Sequence, residues 1–182
     1  MMNQFKTNNK RSLLDRAASI YYRAKLGLSD RSIMFDMFVH LMRFPRNITL
    51  KSGVYVKGGA RLCPCNVNAL ICIGENTTIG YNTFVFASNS ITIGDNCMIA
   101  PNVYVVDSDH GTQREYAMNS QPNITAPVII EDDVWVGTGA VILKGTYIPQ
   151  GCVIAANAVV KGKLEPYGIY AGIPAKKIGE RE

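Results

Sequence analysis

The sequence predicts an all-β solenoid, and three observations predict it. β-branched residues recur at intervals of six over residues 130–160: Ile130, Val136, Ile142, Ile148, Ile154 and Val160. Because six is a multiple of the two-residue period of a strand, these side chains return to one face of an extended chain. The positions two residues earlier are small or apolar, and the intervening positions are rich in the Asn, Asp and Gly that tight corners favour. Short strands therefore alternate with corners, and each coil buries its inner face against its neighbours.

The same period extends toward the N-terminus with two interruptions. One series holds Val67, Ile73, Ile79 and Val85; after a two-residue slip, a second holds Ile93, Ile99 and Val105; Ile48, Val54 and Ala60 lead in. We therefore expect the solenoid domain over residues 47–163, with a polar loop extruded at residues 106–127.

Residues 1–46 form a basic N-terminal segment. It holds nine Lys and Arg against three Asp, a balance of +6 in a chain whose net charge is +5. Capping signals predict two helices, one over residues 12–25 and an apolar one that begins at Ser29 or Asp30 and ends before Pro45. The second helix is expected to cover the open end of the solenoid or a partner subunit, with His40 as a packing residue. Alternatively, the segment docks to an anionic membrane or a lipid-linked acceptor. No nucleic-acid-binding motif accompanies the charge.

Composition indicates a cytoplasmic protein without disulfides. No apolar stretch approaches the length of a membrane span, and the N-terminus lacks the apolar block of a signal peptide. Five cysteines are an odd number, and Cys97 and Cys152 occupy inward positions that want a small apolar side chain. The spacing of Cys63, Cys65 and Cys72 is unlike that of a zinc site, and we expect no metal.

The loop that interrupts the period carries the candidate chemistry. His110 lies at its root in the sequence D-S-D-H-G, between the last regular strand and the polar loop. Histidine accepts a proton near neutral pH, and a nearby carboxylate can fix its tautomer. We predict that His110 is a general base and that Asp107 or Asp109 orients it, although either Asp could instead cap a turn.

Four segments resemble the hexapeptide-repeat acyltransferases, in particular sugar O-acetyltransferases such as galactoside and maltose acetyltransferases. They are IGENTTIG at 73–80, ITIGDNCMIAPNV at 91–103, VWVGTGAVILKGTYIPQGCVIAANAVV at 134–160 and YGIYAGIPAKKI at 167–178. The resemblance implies a left-handed parallel β-helix of about five coils, closed by residues 164–182. It also implies a homotrimer with active sites between subunits.

The resemblance also implies the site residues. The family's catalytic histidine follows an IGDN-x-x-IAPNV coil, as His110 does, although His-Gly replaces the usual His-Pro and looks more like the polysaccharide-modifying branch. Acetyl-CoA would lie along Thr138, Gly139 and Ala156, with Trp135 bordering the active site. Its phosphates would meet Lys161, Lys163 and Lys176, each of which could instead be a solvated surface lysine. Ser88 and Asn89 are candidates for oxyanion or acceptor contacts, or are simply turn residues.

The expected function is an acetyl-CoA-dependent O-acetyltransferase. His110 would deprotonate a sugar hydroxyl of a cell-surface polysaccharide or its precursor, and the acetyl group would transfer directly. An N-acyltransferase acting on an amino sugar and a non-catalytic scaffold subunit remain alternatives. A γ-class carbonic anhydrase needs three zinc-binding histidines, and the chain has only His40 and His110.

Overall fold

A computed structural model describes residues 11–182, which form a parallel β-solenoid of about six turns with one N-terminal α-helix. The helix, α1, spans Leu13–Leu26, and short 3-10 helices span Pro45–Asn47 and Met118–Ser120. Each of the first five turns of the solenoid contributes one strand to each of three sheets.

The sheets contain the following strands, in spatial order. The first sheet holds β1 (Met34–Phe35), β4 (Tyr55–Val56), β7 (Thr78–Ile79), β10 (Met98–Ile99), β15 (Trp135–Val136), β18 (Val153–Ile154), β20 (Gly168–Gly172) and β21 (Ala175–Glu180). The second holds β2 (His40–Leu41), β5 (Arg61–Pro64), β8 (Phe84–Ala87), β11 (Tyr104–Val106), β16 (Val141–Ile142) and β19 (Val159–Val160). The third holds β3 (Ile48–Leu50), β6 (Leu70–Ile73), β9 (Ser90–Ile93), β14 (Val128–Ile130) and β17 (Tyr147–Ile148). A separate antiparallel hairpin joins β12 (Ser108–His110) to β13 (Asn123–Thr125).

The inward rows predicted from the six-residue period form the core. All six residues of the 130–160 series are buried, and so are the small residues two positions before them. Cys97 and Cys152 are buried in these rows, and burial raises the pKa of the Cys97 thiol to about 11. The core is therefore one continuous apolar column that runs the length of the prism.

The corners follow a common backbone rule. Residues in the left-handed region occupy corresponding corner positions in four successive turns: Asn82, Asn102, Gly139 and Asn157. Inward threonines satisfy the corner carbonyls: the Thr77 hydroxyl donates to Gly94 O at 2.7 Å and that of Thr83 to Ala100 O at 2.8 Å. The Asn- and Gly-rich stretches are thus the turns that keep the strands in register.

The interruptions of the period fall on one corner of the prism. We call the turns between the first and second sheets the first corner, and those between the second and third sheets the second corner. The slip after Val85 and the loop after Val105 both lie at the second corner. A third insertion lies there between β5 and β6, and for this reason the prediction that Val67 points inward is wrong: its side chain is 67% exposed.

The predicted second helix is also wrong. Strands β1 and β2 occupy that segment and pair in parallel with β4 and β5, so the parallel pairing begins at Met34 rather than at residue 47. Ile33, Phe35, Val39 and Leu41 alternate with a period of two, repeat after six, and are all buried. The apolar content of this stretch belongs to a first coil, which is why the solenoid has about six turns instead of five.

Helix α1 covers the open end of that first coil. The Ser19 hydroxyl accepts from Phe35 N and donates to Phe35 O, both at 2.8 Å. The Tyr22 hydroxyl donates to Val39 O at 2.7 Å. The helix therefore binds backbone groups that a further coil would otherwise pair.

The opposite end is closed by the C-terminal segment. Strand β21 pairs antiparallel with β20 at the end of the first sheet. Arg181 then forms an ion pair with Asp133, with 2.7 Å between nitrogen and oxygen. Within residues 11–182, no helix has the length and apolar character required to cross a membrane.

Candidate active site

His110 lies on a hairpin raised from the second corner. It ends β12, pairs with Asn123 of β13, and has an exposed side chain. The base of the hairpin is fixed to the solenoid, because Ala126 N donates to Asp107 O at 2.9 Å and Gly145 N donates to Ala126 O at 3.1 Å. A rigid corner thus presents an accessible imidazole.

Asp107 is fully buried and faces away from solvent. One carboxylate oxygen accepts from Ser88 N at 2.6 Å and the other from Asn89 N at 2.7 Å. It therefore caps the turn of the preceding coil, which is the alternative that the sequence left open.

Asp109 is half-exposed and lies 3.3 Å from the Lys144 ammonium. Lys144 also donates to Ile124 O at 3.4 Å and so joins the next coil to both strands of the hairpin. Within residues 11–182, each carboxylate that was predicted to orient His110 has another partner.

Ser88 belongs to a stack of polar groups along the second corner. Its hydroxyl lies 3.0 Å from Ser108 Oγ and 3.2 Å from Cys65 Sγ. Asn66 Nδ2 donates to Ser88 O at 2.8 Å. Three successive coils therefore contribute to a polar surface that ends two residues before His110. Asn89, beside Ser88, has an exposed side chain.

Sequence reasoning missed Lys144, Ser108 and Cys65 as members of this site. Each lies at a corner position whose neighbours in space come from other coils. They could be identified only by knowing that the insertions of neighbouring coils lie beside one another at the second corner. The six-residue period alone does not show this.

The predicted donor residues lie elsewhere, mostly at the first corner. The Thr138 hydroxyl donates to Pro101 O at 2.7 Å, and Asn157 N donates to Thr138 O at 2.9 Å. Gly139 has a φ of +69°, and a Cβ there would meet Asn157 Oδ1 at 2.3 Å. Ala156 is exposed on the next coil. These small residues leave a shallow strip along the corner.

Trp135 and the three lysines lie toward the C-terminal end of the solenoid. Trp135 points outward from the first sheet between Met98 and Val153, with half of its surface exposed. Lys161 follows β19, Lys163 forms an isolated bridge with Tyr147, and Lys176 lies on β21. All three lysine side chains are exposed. Their predicted contacts with CoA stay predictions.

One subunit does not bring the two groups together. His110, Asp107, Asp109, Ser88 and Asn89 lie at the second corner, whereas Thr138, Gly139 and Ala156 lie at the first. The five residue steps from Gly139 to Lys144 cross the second sheet between these corners, roughly 16 Å of extended chain. The two groups of predicted site residues therefore lie on different edges of the prism.

Two family models match the solenoid. Residues 71–106 match the hexapeptide repeat of succinyl-transferase, and residues 127–162 match the bacterial transferase hexapeptide of six repeats. The unmatched residues between them are the second-corner loop.

Curated relatives match over the same region. The chain is 32% identical over 117 residues to WbbJ of Escherichia coli (strain K12), a candidate lipopolysaccharide biosynthesis O-acetyl transferase, with 60% of each protein covered. It is 34% identical over 110 residues to the galactoside O-acetyltransferase of the same organism, over 60% of this chain and 54% of the relative. The matches thus span a little over half the length of these relatives.

Solved structures share the fold. A maltose O-acetyltransferase from Clostridium difficile 630 superposes with a TM-score of 0.67 at 27% identity, covering 92% of this chain and 88% of that one. AntD, an N-acyltransferase from Bacillus cereus solved with dTDP and 3-hydroxybutyryl-CoA, superposes with a TM-score of 0.76 at 20% identity, covering 90% and 89%.

The six-residue repeats, the three parallel sheets that they build, and the matches to O-acetyltransferases all support the hexapeptide-repeat acyltransferase family, which the chain resembles over residues 71–106 and 127–162.

Proposed function

We propose that this protein is an acetyl-CoA-dependent O-acetyltransferase that modifies a sugar hydroxyl of a cell-surface polysaccharide or its precursor. The observation that carries the proposal is the placement of His110. Its imidazole is exposed on an anchored hairpin, beside polar turns from three coils. A general base needs this combination of access and fixed position.

The reaction is a direct transfer. His110 accepts the proton of the sugar hydroxyl while the hydroxyl oxygen attacks the thioester carbonyl of acetyl-CoA. The tetrahedral intermediate collapses, the C–S bond breaks, and the imidazolium returns its proton to the leaving thiolate of CoA. The products are the O-acetyl sugar and free CoA, and no acyl-enzyme forms.

Asn89 is the proposed donor to the oxyanion. The backbone amides of Ser88 and Asn89 already donate to Asp107, and the Ser88 hydroxyl bonds within the corner stack. The side-chain amide of Asn89 is exposed on the same turn. One well-placed donor of this kind typically contributes 10²–10³-fold in turnover.

The acyl donor is proposed to bind between two copies. A neighbouring subunit would supply the strip at Thr138, Gly139 and Ala156, with Trp135 at its edge and the lysines near the CoA phosphates. In a homotrimer, such a strip would lie beside each second corner. AntD was solved with an acyl-CoA and a nucleotide, which supports a CoA-type donor for this fold.

Loss of His110 should abolish transfer and leave the fold intact. We expect His110→Ala to lower turnover at least ~100-fold with unchanged CoA affinity, because a general base acts on the acceptor proton. The measurement is thiol release from acetyl-CoA with a panel of glycans, together with CoA binding by calorimetry.

His40→Ala is the matched control. His40 is the other histidine of the chain, and its side chain is also exposed, on β2 of the first coil. It should keep full turnover. Near-parental activity of His110→Ala would overturn the assignment of the base. Release with amino sugars only would indicate an N-acyltransferase, and absence of both CoA binding and release would indicate a scaffold.

A further inference from the structure

Helix α1 has its polar and apolar faces reversed relative to a helix that packs on a core. At 100° per residue, the face toward the solenoid is centred on Asp15, Ser19, Tyr22 and Arg23. These residues bond to the first coil: Asp15 accepts from Met37 N at 3.1 Å, and Arg23 donates to Ile33 O at 3.1 Å. Polar side chains thus hold the helix against the end of the prism.

The opposite face is apolar and points away from the protein. It consists of Leu13, Leu14, Ala17, Ile20, Tyr21 and Ala24, and every one of these side chains is exposed. A soluble helix normally turns such a stripe toward the core. Here, within residues 11–182, about 1.5 nm of exposed apolar surface runs along the helix.

Phe38 extends this apolar surface beyond the helix. It lies at the first corner of the first coil, with a φ of +62° and 72% of its surface exposed. Later turns place Gly59, Asn82 and Asn102 at the matching position, which suits a left-handed backbone. A bulky aromatic is costly there, and an open groove separates it from Leu14 and Tyr21.

The charges around the stripe are arranged with the cations outward. Arg16 and Lys25 flank it on opposite sides of the helix, and Arg31 is exposed nearby. The acids of this region are bonded to the protein. Asp15 bonds to Ser12, Asp30 accepts from Ser52 Oγ at 2.6 Å, and Asp36 accepts from Tyr55 Oη at 2.5 Å. The surface is therefore apolar at its centre and positive at its rim.

We propose that the outer face of α1, together with Phe38, docks onto an anionic lipid bilayer. An apolar stripe rich in Leu, Ile and Tyr with basic flanks is the pattern by which helices lie in the bilayer interface. The flanking cations match anionic headgroups, and the absence of an acidic side chain on this face, within residues 11–182, leaves nothing to repel them. The solenoid would then stand on the membrane by its first coil.

The test uses the full-length protein and defined vesicles, without acetyl-CoA or acceptor, so its result does not depend on any transfer activity. We expect sedimentation with vesicles of phosphatidylglycerol and phosphatidylcholine, at least tenfold weaker sedimentation with phosphatidylcholine alone, and weakening at high salt. Ile20→Glu should lower the partition coefficient for the anionic vesicles at least tenfold.

Ile178→Glu is the matched control, because Ile178 is 67% exposed and Ile20 is 64% exposed, at opposite ends of the molecule. It should bind vesicles like the parent, and circular dichroism should show both variants folded. No binding to anionic vesicles, or equal effects of the two substitutions, would overturn the proposal. So would dissociation of an oligomer by Ile20→Glu without vesicle binding by the parent, since the face would then join two copies.

Discussion

At the scale of single residues, Asp107 has a role that its place in the D-S-D-H-G motif did not reveal. Its two oxygens accept the amides of Ser88 and Asn89 from the coil below. It thereby fixes the turn that carries the proposed oxyanion donor relative to the strand that leads to His110. We infer that Asp107 is a positioning residue for both.

Asp107→Asn should destabilise the protein by about 2–3 kcal/mol. The amide replaces one acceptor with a donor, which then faces a buried backbone N–H and leaves it unpaired. Asp109→Asn removes only a half-exposed ion pair with Lys144 and should cost about 0.5 kcal/mol or less. Denaturant unfolding measures both values. Equal costs would contradict the distinction between the two carboxylates.

The sequence could identify His110 but not its surroundings. A histidine at the break of a strict repeat is visible in the letters, whereas the partner of each carboxylate depends on which turn stacks beneath it. Ser88 and Asp107 are 19 residues apart in the sequence, and they meet because they lie at the same corner of successive coils. The length of each second-corner insertion sets that register, and the period does not specify it.

At the scale of elements, helix α1 terminates the solenoid through side chains rather than through a further strand. Ser19 is central, because its hydroxyl satisfies both backbone groups of Phe35 at the free edge of β1 and also accepts from Arg11 at 2.6 Å. An unsealed edge would expose unpaired strand groups.

Ser19→Ala should release the first coil without unfolding the rest. Arg11 also donates to Phe35 O at 2.8 Å, so the substitution leaves only Phe35 N unpaired, at an expected cost of about 2 kcal/mol. Because each coil contacts only its neighbours, hydrogen exchange should quicken at residues 34–41 and stay unchanged in β14–β19. The exposed N-cap variant Ser12→Ala should affect the helix alone, by about 1 kcal/mol. Uniformly faster exchange across all coils after Ser19→Ala would refute a local cap.

The mistaken second helix shows where periodicity fails. Ile33, Phe35, Val39 and Leu41 are close enough to a helical spacing, and Met34, Met37, Phe38 and Met42 fill in the other faces. The latter four residues occupy outward positions of the first coil, where Phe38 and Met42 are exposed. The alternation is thereby masked, and a dense apolar run results.

At the scale of the whole molecule, the two halves of the predicted site lie at two different corners of the prism. His110 rises from the second corner, and the predicted donor strip follows the first. When two copies of the solenoid pack side by side, the second corner of one copy can lie against the first corner of the other. We therefore propose that the enzyme is active only as an oligomer.

Two inactive variants should restore activity when mixed. His110→Ala lacks the base, and Ala156→Glu places a bulky anion on the exposed donor strip. If each site takes its base from one subunit and its strip from the next, random mixing leaves both intact in about one quarter of the sites. Co-refolded mixtures should therefore reach about a quarter of parental turnover.

Separate refolding followed by mixing of the intact oligomers is the control, and it should restore nothing. If co-refolding gave no more activity than the average of the two variants, base and donor strip would belong to the same subunit, and the divided site would be wrong.

Most of the fold, from Ile48 to Val160, could be predicted because the inward positions are apolar or small and recur every six residues. The proposed donor and acceptor positions depended on resemblance, since no residue type at a corner specifies CoA by itself. The relation between subunits left no trace in the repeat, because surface residues such as Trp135 serve equally well against solvent or a partner.

The gathering of all insertions at one corner also has a consequence for how such proteins diversify. The entropic cost of closing a loop grows only with the logarithm of the loop's length, by about 0.6 kcal/mol for each doubling. Growing a two-residue turn like that at Ser88 and Asn89 into a loop as long as residues 107–127 therefore costs roughly 2 kcal/mol, similar to losing one buried hydrogen bond. Selection can lengthen or exchange this edge to suit new acceptors, while the other two edges and the interior keep their pattern.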